Sequence, residues 1–241
     1  MHQLILKNLQ KTYSGRRVVD SVSMTLKSSR VVGLLGPNGA GKTTTFYMTI
    51  GMIRPDKGQV FFDDIDMTSD PMYQRARKGV GYLPQETSIF QKLTVRQNLL
   101  AILETLPLTR AAQKKRADQL LDELGIGHLA GQKAAVLSGG EKRRLEISRA
   151  LVTNPSFMLL DEPFAGIDPL AVIDITKIIE HLKERGIGTL ISDHNVRETL
   201  TACDKAYILS DGKVTESGSP EKIANSETAK RIYLGDEFRL S

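Results

Sequence analysis

The chain of 241 residues contains one cysteine and no tryptophan. A lone Cys203 excludes an internal disulfide framework and fits a reducing compartment. Within Leu200-Thr201-Ala202-Cys203 it reads as a small packed residue rather than a catalytic thiol. Long apolar runs are missing too: the longest span a handful of residues, against the roughly 20 that a membrane crossing needs. The opening Met1-His2-Gln3-Leu4-Ile5-Leu6-Lys7 lacks the apolar region of a signal peptide, so a chain made and kept in the cytoplasm is expected. A large excess of charge of one sign is absent, with 33 Lys and Arg against 28 Asp and Glu and a net +5. That excess singles out no partner. The basic clusters Lys114-Lys115-Arg116 and Lys142-Arg143-Arg144 stand beside acids, as solvated helix faces do. No run interleaves aromatics with basic residues, which argues against direct nucleic-acid binding. Hydrophobic residues at 40% and charged residues at 25% predict a folded core.

One stretch organises the rest. Gly36-Pro37-Asn38-Gly39-Ala40-Gly41-Lys42-Thr43 fits the pattern G-x-x-x-x-G-K-[ST]. The apolar run Val31-Val32-Gly33-Leu34-Leu35 precedes it as a buried strand, and Thr44 to Ile50 follows as a helix. The motif therefore lies at a helix N-terminus, where glycines let backbone N–H groups approach phosphate oxygens and the helix dipole adds positive charge. Lys42 would reach the β- and γ-phosphates of ATP, and the Thr43 hydroxyl would hold Mg²⁺.

Early strands at Leu4 to Leu9 and Val18 to Lys27 are joined by turns too short for crossover helices, so they should pair antiparallel. Tyr13 falls in the polar, turn-like segment Lys11 to Arg17. Further strands are expected at Gly58 to Asp64 and Gly79 to Gln85, with a short helix at Pro71 to Lys78. From Glu86 the character changes. Thr94 caps a helix to Leu103, Thr109 caps Arg110 to Leu124, and Ser138-Gly139-Gly140 opens Glu141 to Val152, which Asn154-Pro155 stops. About seventy residues read as helix without strand, framed by strands on both sides. The core resumes with the strand Phe157 to Glu162, the helix Leu170 to Arg185 and the strand Thr189 to His194. Asp211-Gly212 then marks a hairpin, and Pro220 to Leu234 is expected to be helical. The expected fold is α/β, with a core at 1–85 and 156–235, a helical insertion at 86–155 and a tail at 236–241.

Phosphate cleavage also needs a metal, an oriented water and charge stabilisation. Asp161 ends an apolar strand, as a carboxylate near Mg²⁺ would, and Glu162 beside it could polarise the attacking water. Taken alone, the two acids read equally as the strand's solvent end. Gln85 and His194 also end strands, and in an open parallel sheet ligands collect at the carboxyl ends. That shared placement groups Gln85, Asp161, Glu162 and His194 around one nucleotide. The Gln85 amide oxygen could ligate Mg²⁺ or the water, and His194 could hydrogen-bond the γ-phosphate. Tyr13 reads either as a stacking platform for adenine or as an ordinary surface tyrosine. Leu137-Ser138-Gly139-Gly140-Glu141 is a second glycine-bearing helix start, either a simple N-cap or a second anion site. A second such site suggests service to a nucleotide held by another copy of the chain.

In this order, Tyr13, GPNGAGKT at 36–43, Gln85, LSGGE at 137–141, FMLLDE at 157–162, Asp168 in AGID and His194 resemble the ATP-binding cassette family of transporter ATPases over almost the whole chain. The resemblance implies a phosphate-loop NTPase core with an antiparallel β subdomain and an inserted helical subdomain. It also implies a head-to-tail homodimer. Each ATP would lie between one subunit's phosphate loop, Gly36 to Thr44, and the other's Ser138, Gly139, Gly140 and Glu141, with Asp168 touching the partner. ATP-driven closure would drive integral membrane subunits docked near Phe90, although core burial is an equal reading of Phe90. YLPQETSIF, DEPFAGIDP, SDHNVRETL and IYLGDEFRL resemble the branch that powers bacterial lipopolysaccharide export. That branch implies a peripheral place on the cytoplasmic face of the inner membrane, with lipopolysaccharide handled by the partners. Branched-chain amino-acid importers are the alternative within the family, and soluble cassette ATPases acting on ribosomes or DNA the alternative outside transport. Ser29-Arg30 departs from the Gly-Glu common at that turn in the family, without touching the catalytic set.

Overall fold

Five consecutive apolar or small residues, Val31–Leu35, form a strand whose every residue is buried. Such a run fits only a central strand covered on both faces. The computed structural model describes residues 1–166 and 169–240. In chain order the strands are β1 Gln3–Tyr13, β2 Arg16–Lys27, β3 Val31–Leu35, β4 Lys57–Phe62, β5 Ile65–Asp66, β6 Val80–Leu83, β7 Phe157–Asp161, β8 Gly188–Ser192, β9 Lys205–Ser210 and β10 Lys213–Gly218. The helices are α1 Lys42–Ile50, α2 Met72–Arg77, α3 Val95–Leu103, α4 Arg110–Glu123, α5 Gly139–Ala150, α6 Pro169–Glu184, α7 Val196–Ala202, α8 Pro220–Asn225 and α9 Glu227–Ala229.

The chain folds as two units, Met1–Tyr82 with Ser156–Ser241, and Leu83–Pro155. The first holds an antiparallel sheet in the order β2-β1-β4-β5 and a second sheet in the order β10-β9-β3-β8-β7-β6. In the second, β3 pairs parallel with β8 and β9, and β7 pairs parallel with β8. The β9–β10 hairpin closes the antiparallel edge. One apolar core joins the sheets: Leu6, Val22 and Val60 from the first, Leu34, Leu159 and Leu190 from the second, and Phe46, Met48 and Ile50 from α1. Fully burying a side chain of that size stabilises by about 1.5–3 kcal/mol, so α1 is held by both sheets rather than by its own short hydrogen-bond ladder.

The second unit is helical. Thr94 caps α3 in a capping box with Gln97, Thr109 caps α4, and Ser138 caps α5 in a box with Glu141. Its interior is formed by Val95, Leu99, Leu103, Ala117, Leu120, Leu121 and Leu145.

One local expectation is corrected and one is refined. Tyr13 is not in a loop but ends β1, paired with Arg16, because Ser14 and Gly15 both take positive φ and make a two-residue hairpin turn. The C-terminal helix is not continuous. Ser226 is extended (φ −75°, ψ 119°) and caps α9, which runs into a π-helical turn, Lys230–Leu234. Sequence patterning also passed over β5 and α7.

Candidate active site

The phosphate loop is built on contacts that only glycine allows. A Cβ on Gly36 would lie 2.1 Å from the Leu209 carbonyl oxygen of β9, and one on Gly41 would lie 2.5 Å from the Val18 carbonyl oxygen of β2. The loop is thus wedged between the two sheets. Gly212, in the β9–β10 turn, donates its N–H to the Ala40 carbonyl at 3.1 Å. Gly41 takes φ 98°, and α1 begins with no side-chain cap and no acid in its first turn. Its N-terminal N–H groups and dipole therefore face outward, as an anion site requires. Lys42 folds back over the loop, donating from Nζ to the Gly36 carbonyl at 2.6 Å and the Pro37 carbonyl at 3.0 Å. Burial lowers its pKa, while the negative charges of Glu162 and Asp193 oppose that shift. Thr43 and Thr44 occupy the same first turn.

Facing the loop are the exits of β7 and β8. Asp161 ends β7, is 5% exposed, and accepts a hydrogen bond from the Tyr82 hydroxyl at 3.4 Å. Burial, and then the Asp161 charge, push the Tyr82 hydroxyl pKa upward. Glu162 takes a left-handed backbone conformation, φ 45°, and donates its N–H to the Ser192 carbonyl at 2.7 Å. Its carboxylate lies 3.5 Å from His194 Nδ1. The structure therefore brings Lys42, Asp161, Glu162 and His194 to one end of one sheet.

The remaining predicted residues lie on other elements. Tyr13 is 43% exposed at the end of β1, and the Lys11 ammonium lies 5.6 Å from its ring centroid. Lys11 is itself held by the Arg54 carbonyl and by Asp56. Gln85 follows β6 and belongs to the helical unit. In that same unit Ser138 accepts the Glu141 N–H at 3.4 Å, while the Glu141 carboxylate accepts both the Ser138 N–H at 2.7 Å and its hydroxyl at 2.8 Å. Asp168 lies outside the described residues.

Sequence reasoning passed over two side chains at the site. Asp193, fully buried, adjoins His194 and lies 3.6 Å from its Nδ1. Burial raises its pKa, against the backbone N–H groups it accepts. Its signal is the polar run Ser192-Asp193-His194-Asn195 closing an apolar strand. Tyr233, forty residues downstream, donates its hydroxyl to the His194 carbonyl at 3.4 Å. No local pattern announces that contact.

Comparison with known proteins agrees with this geometry. Residues 19–165 match the ABC transporter family. The chain is 55% identical to the lipopolysaccharide export system ATP-binding protein LptB of Escherichia coli strain K12, covering all of both chains. It is 54% identical to the protein of the same name from Haemophilus influenzae, again over the full length of both. Among solved structures, MJ1267, an ATP-binding cassette of an ABC transporter in its ADP conformation, superposes with a TM-score of 0.88 at 28% identity, over 98% of this chain and all of the other. The dimeric post-hydrolysis structure of the ATP-binding cassette MJ0796, bound to ADP and Pi, superposes with a TM-score of 0.77 at 25% identity, over 90% of this chain and 98% of the other. A glycine-built phosphate loop at an uncapped helix start, a carboxylate and histidine at adjacent strand exits, the family match over residues 19–165, and more than half the residues shared end to end with two ATP-binding proteins converge on one assignment: the chain belongs to the ABC transporter family, as its ATP-binding cassette.

Proposed function

We propose that this chain is the ATP-hydrolysing subunit of a bacterial lipopolysaccharide exporter, working as a homodimer on the cytoplasmic face of the inner membrane. The observation that carries the cargo is identity of 54–55% over the whole length of relatives that bear that name. No helix among the described residues is long and apolar enough to cross a membrane. Translocation is therefore assigned to separate integral subunits, with lipopolysaccharide in their hands.

In the chemistry we assign, Lys42 and the N–H groups from Gly36 to Thr44 hold the phosphates. Tyr13 stacks on the adenine. Glu162 polarises the attacking water, and His194, 3.5 Å away, holds the γ-phosphate and keeps the carboxylate oriented. Asp161, the Thr43 hydroxyl and the Gln85 amide would hold Mg²⁺. All three are hard oxygen donors, and among the described residues no group of three acids, histidines or cysteines forms a complete metal cage. That donor set suits an ion that keeps waters and phosphate oxygens in its coordination shell. Mg²⁺ would neutralise charge between the β- and γ-phosphates. Ser138, Gly139, Gly140, Glu141 and Asp168 serve the nucleotide of the second copy.

Phe90 is the docking contact we assign to the membrane subunits. It is 44% exposed, with the Arg149 guanidinium 5.0 Å from its ring centroid. Its backbone is fixed by Asn98, which accepts the Phe90 N–H at 2.8 Å and donates to its carbonyl at 3.1 Å. An aromatic ring presented on a rigid backbone is suited to anchor a partner.

Glu162→Gln tests the chemistry. Hydrolysis should fall at least about a hundredfold while ATP binding persists and an ATP-dependent dimer accumulates on size exclusion; full turnover would remove Glu162 from its role. Phe90→Ala should weaken assembly with the membrane subunits about tenfold, more than it slows hydrolysis by the isolated chain; normal assembly would sink the docking assignment. The cargo is tested by gentle detergent extraction of the tagged protein with its membrane partners. Co-purifying lipopolysaccharide supports export, and amino-acid permeases would redirect the assignment to import.

A further inference from the structure

The parallel ladder between β7 and β8 ends where Asp161 faces Ser192. Past that point both chains turn away, and each carries a residue of the candidate site, Glu162 on one and His194 on the other. One backbone bond continues the pairing, from the Glu162 N–H to the Ser192 carbonyl. Side chains then take over. Asp193 Oδ2 accepts the Phe164 N–H at 2.7 Å, and Asp193 Oδ1 accepts the Asn195 N–H at 2.8 Å. Asn195 Nδ2 donates to the Phe164 carbonyl at 2.7 Å. Both backbone polar groups of Phe164 are therefore held from the His194 segment, and the Phe164 side chain is itself 2% exposed.

This bracket has a specific task. Glu162 sits at φ 45°, a conformation that a non-glycine residue keeps only where its surroundings over-determine it. The residue before it is fixed in β7. The residue two places after it is fixed by Asp193 and Asn195. With both ends held, the turn cannot relax to negative φ, and the Glu162 carboxylate stays beside His194. The geometry points to Asp193 and Asn195 as positioning residues that keep Glu162 and His194 in catalytic register, without touching the reacting atoms themselves. The inference rests on the assignment of Glu162 and His194 to hydrolysis.

The test uses two near-isosteric variants of the full chain. Asp193→Asn leaves one acceptor oxygen where two N–H groups need one each, and turns an NH₂ toward the second. Asn195→Asp turns a carboxylate toward the Phe164 carbonyl in place of a donor. For each, the turnover number should fall at least about tenfold, while the dissociation constant for a fluorescent ATP analogue stays within about threefold of the parent. Such a split separates positioning from general structural support, which would lose folding, binding and turnover together. Parallel loss of ATP affinity and turnover would overturn the proposal, as would turnover within twofold of the parent. If Asp193→Asn does not fold, Asn195→Asp decides alone, since it keeps the buried carboxylate. Glu162→Gln run alongside separates the two layers. An inactive Glu162→Gln with fully active bracket variants refutes the positioning role alone, whereas an active Glu162→Gln refutes the catalytic assignment beneath it.

Discussion

Arg75 is the largest fully buried side chain in the protein, and its described hydrogen bonds go to backbone carbonyls rather than to a carboxylate. Nε donates to Asp70 at 2.9 Å, Nη1 to Met48 at 2.7 Å and Thr49 at 2.8 Å, and Nη2 to Thr68 at 3.0 Å. Met48 and Thr49 lie in the last turn of α1, where carbonyls have no intrahelical donor. A cation there also favours the helix dipole. Burial lowers the Arg75 pKa to about 10, so it remains charged at neutral pH. Replacing Arg75 by Met keeps the bulk but leaves four carbonyls without their donor. An unsatisfied buried carbonyl costs about 1–3 kcal/mol, so for the four together, after local relaxation, a loss of about 3–5 kcal/mol is expected, a large share of a typical total stability of about 5–15 kcal/mol. At an m-value of about 3 kcal/mol/M the urea midpoint should fall by about 1–1.7 M. Far-UV circular dichroism is the assay, because the chain has no Trp to report by fluorescence. Arg75→Lys should recover part of the loss, having three donors but no planar fork. A loss below about 1 kcal/mol for Arg75→Met would refute the reasoning, since water would then be serving those carbonyls equally well. Gly51→Ala should act in the same direction: its Cβ would lie 2.8 Å from Arg75 Nε, at φ 81°.

Tyr13→Ala should weaken ATP binding roughly ten- to a hundredfold, the range expected for loss of one base-stacking ring, measured by calorimetry with the nucleotide alone; unchanged affinity would return Tyr13 to the ordinary surface. Cys203 is buried, and burial raises its thiol pKa from 9.0 to about 12. At pH 8 a disulfide reagent should therefore label it only as fast as the protein opens, and urea should make labelling immediate. Because the folded thiol keeps its proton where the unfolded one loses it, stability should fall as pH rises from about 9 to about 12, and Cys203→Ala should flatten that slope.

How far the sequence led depends on whether a feature is local. The phosphate loop was legible because its glycines, its lysine and the flanking strand and helix are contiguous, and each does its work within ten residues. Asp161, Glu162 and His194 were legible from a rule of topology, that an apolar strand ending in a polar residue opens toward the ligand side. Tyr13 was misplaced into a loop because Lys11, Thr12 and Arg17 are polar. An edge hairpin that faces solvent tolerates them, and the positive φ of Ser14 and Gly15 is what sets its turn. Ser226 divides the C-terminal helical stretch, since its side chain satisfies the Ala229 N–H and starts a new turn. Tyr233 carries no sequence signal that places it beside His194, and Asp193 carries only the polar run that closes β8. Asp193 acts through backbone atoms of a segment 29 residues away, and Tyr233 through those of a residue 39 away. Backbone partners leave no residue-type signature.

The two glycine-bearing helix starts share a sequence logic but differ in what they offer an anion. At α1 the first turn carries no acid and no side-chain cap, so its N–H groups are available outward. At α5 the same kind of turn is already satisfied from within, because Glu141 places a carboxylate on the Ser138 N–H and hydroxyl. Those contacts lower the Glu141 pKa, which keeps the carboxylate charged at neutral pH. A phosphate arriving at α1 meets donors alone, whereas one arriving at α5 meets donors that already hold a negative charge. It must share the Ser138 hydroxyl with that carboxylate or displace it. Of two motifs that read alike as phosphate cradles, only the one at α1 is prepared to bind an anion unaided. The arrangement at α5 suits the part we propose for it, contact with a nucleotide already held by the second copy.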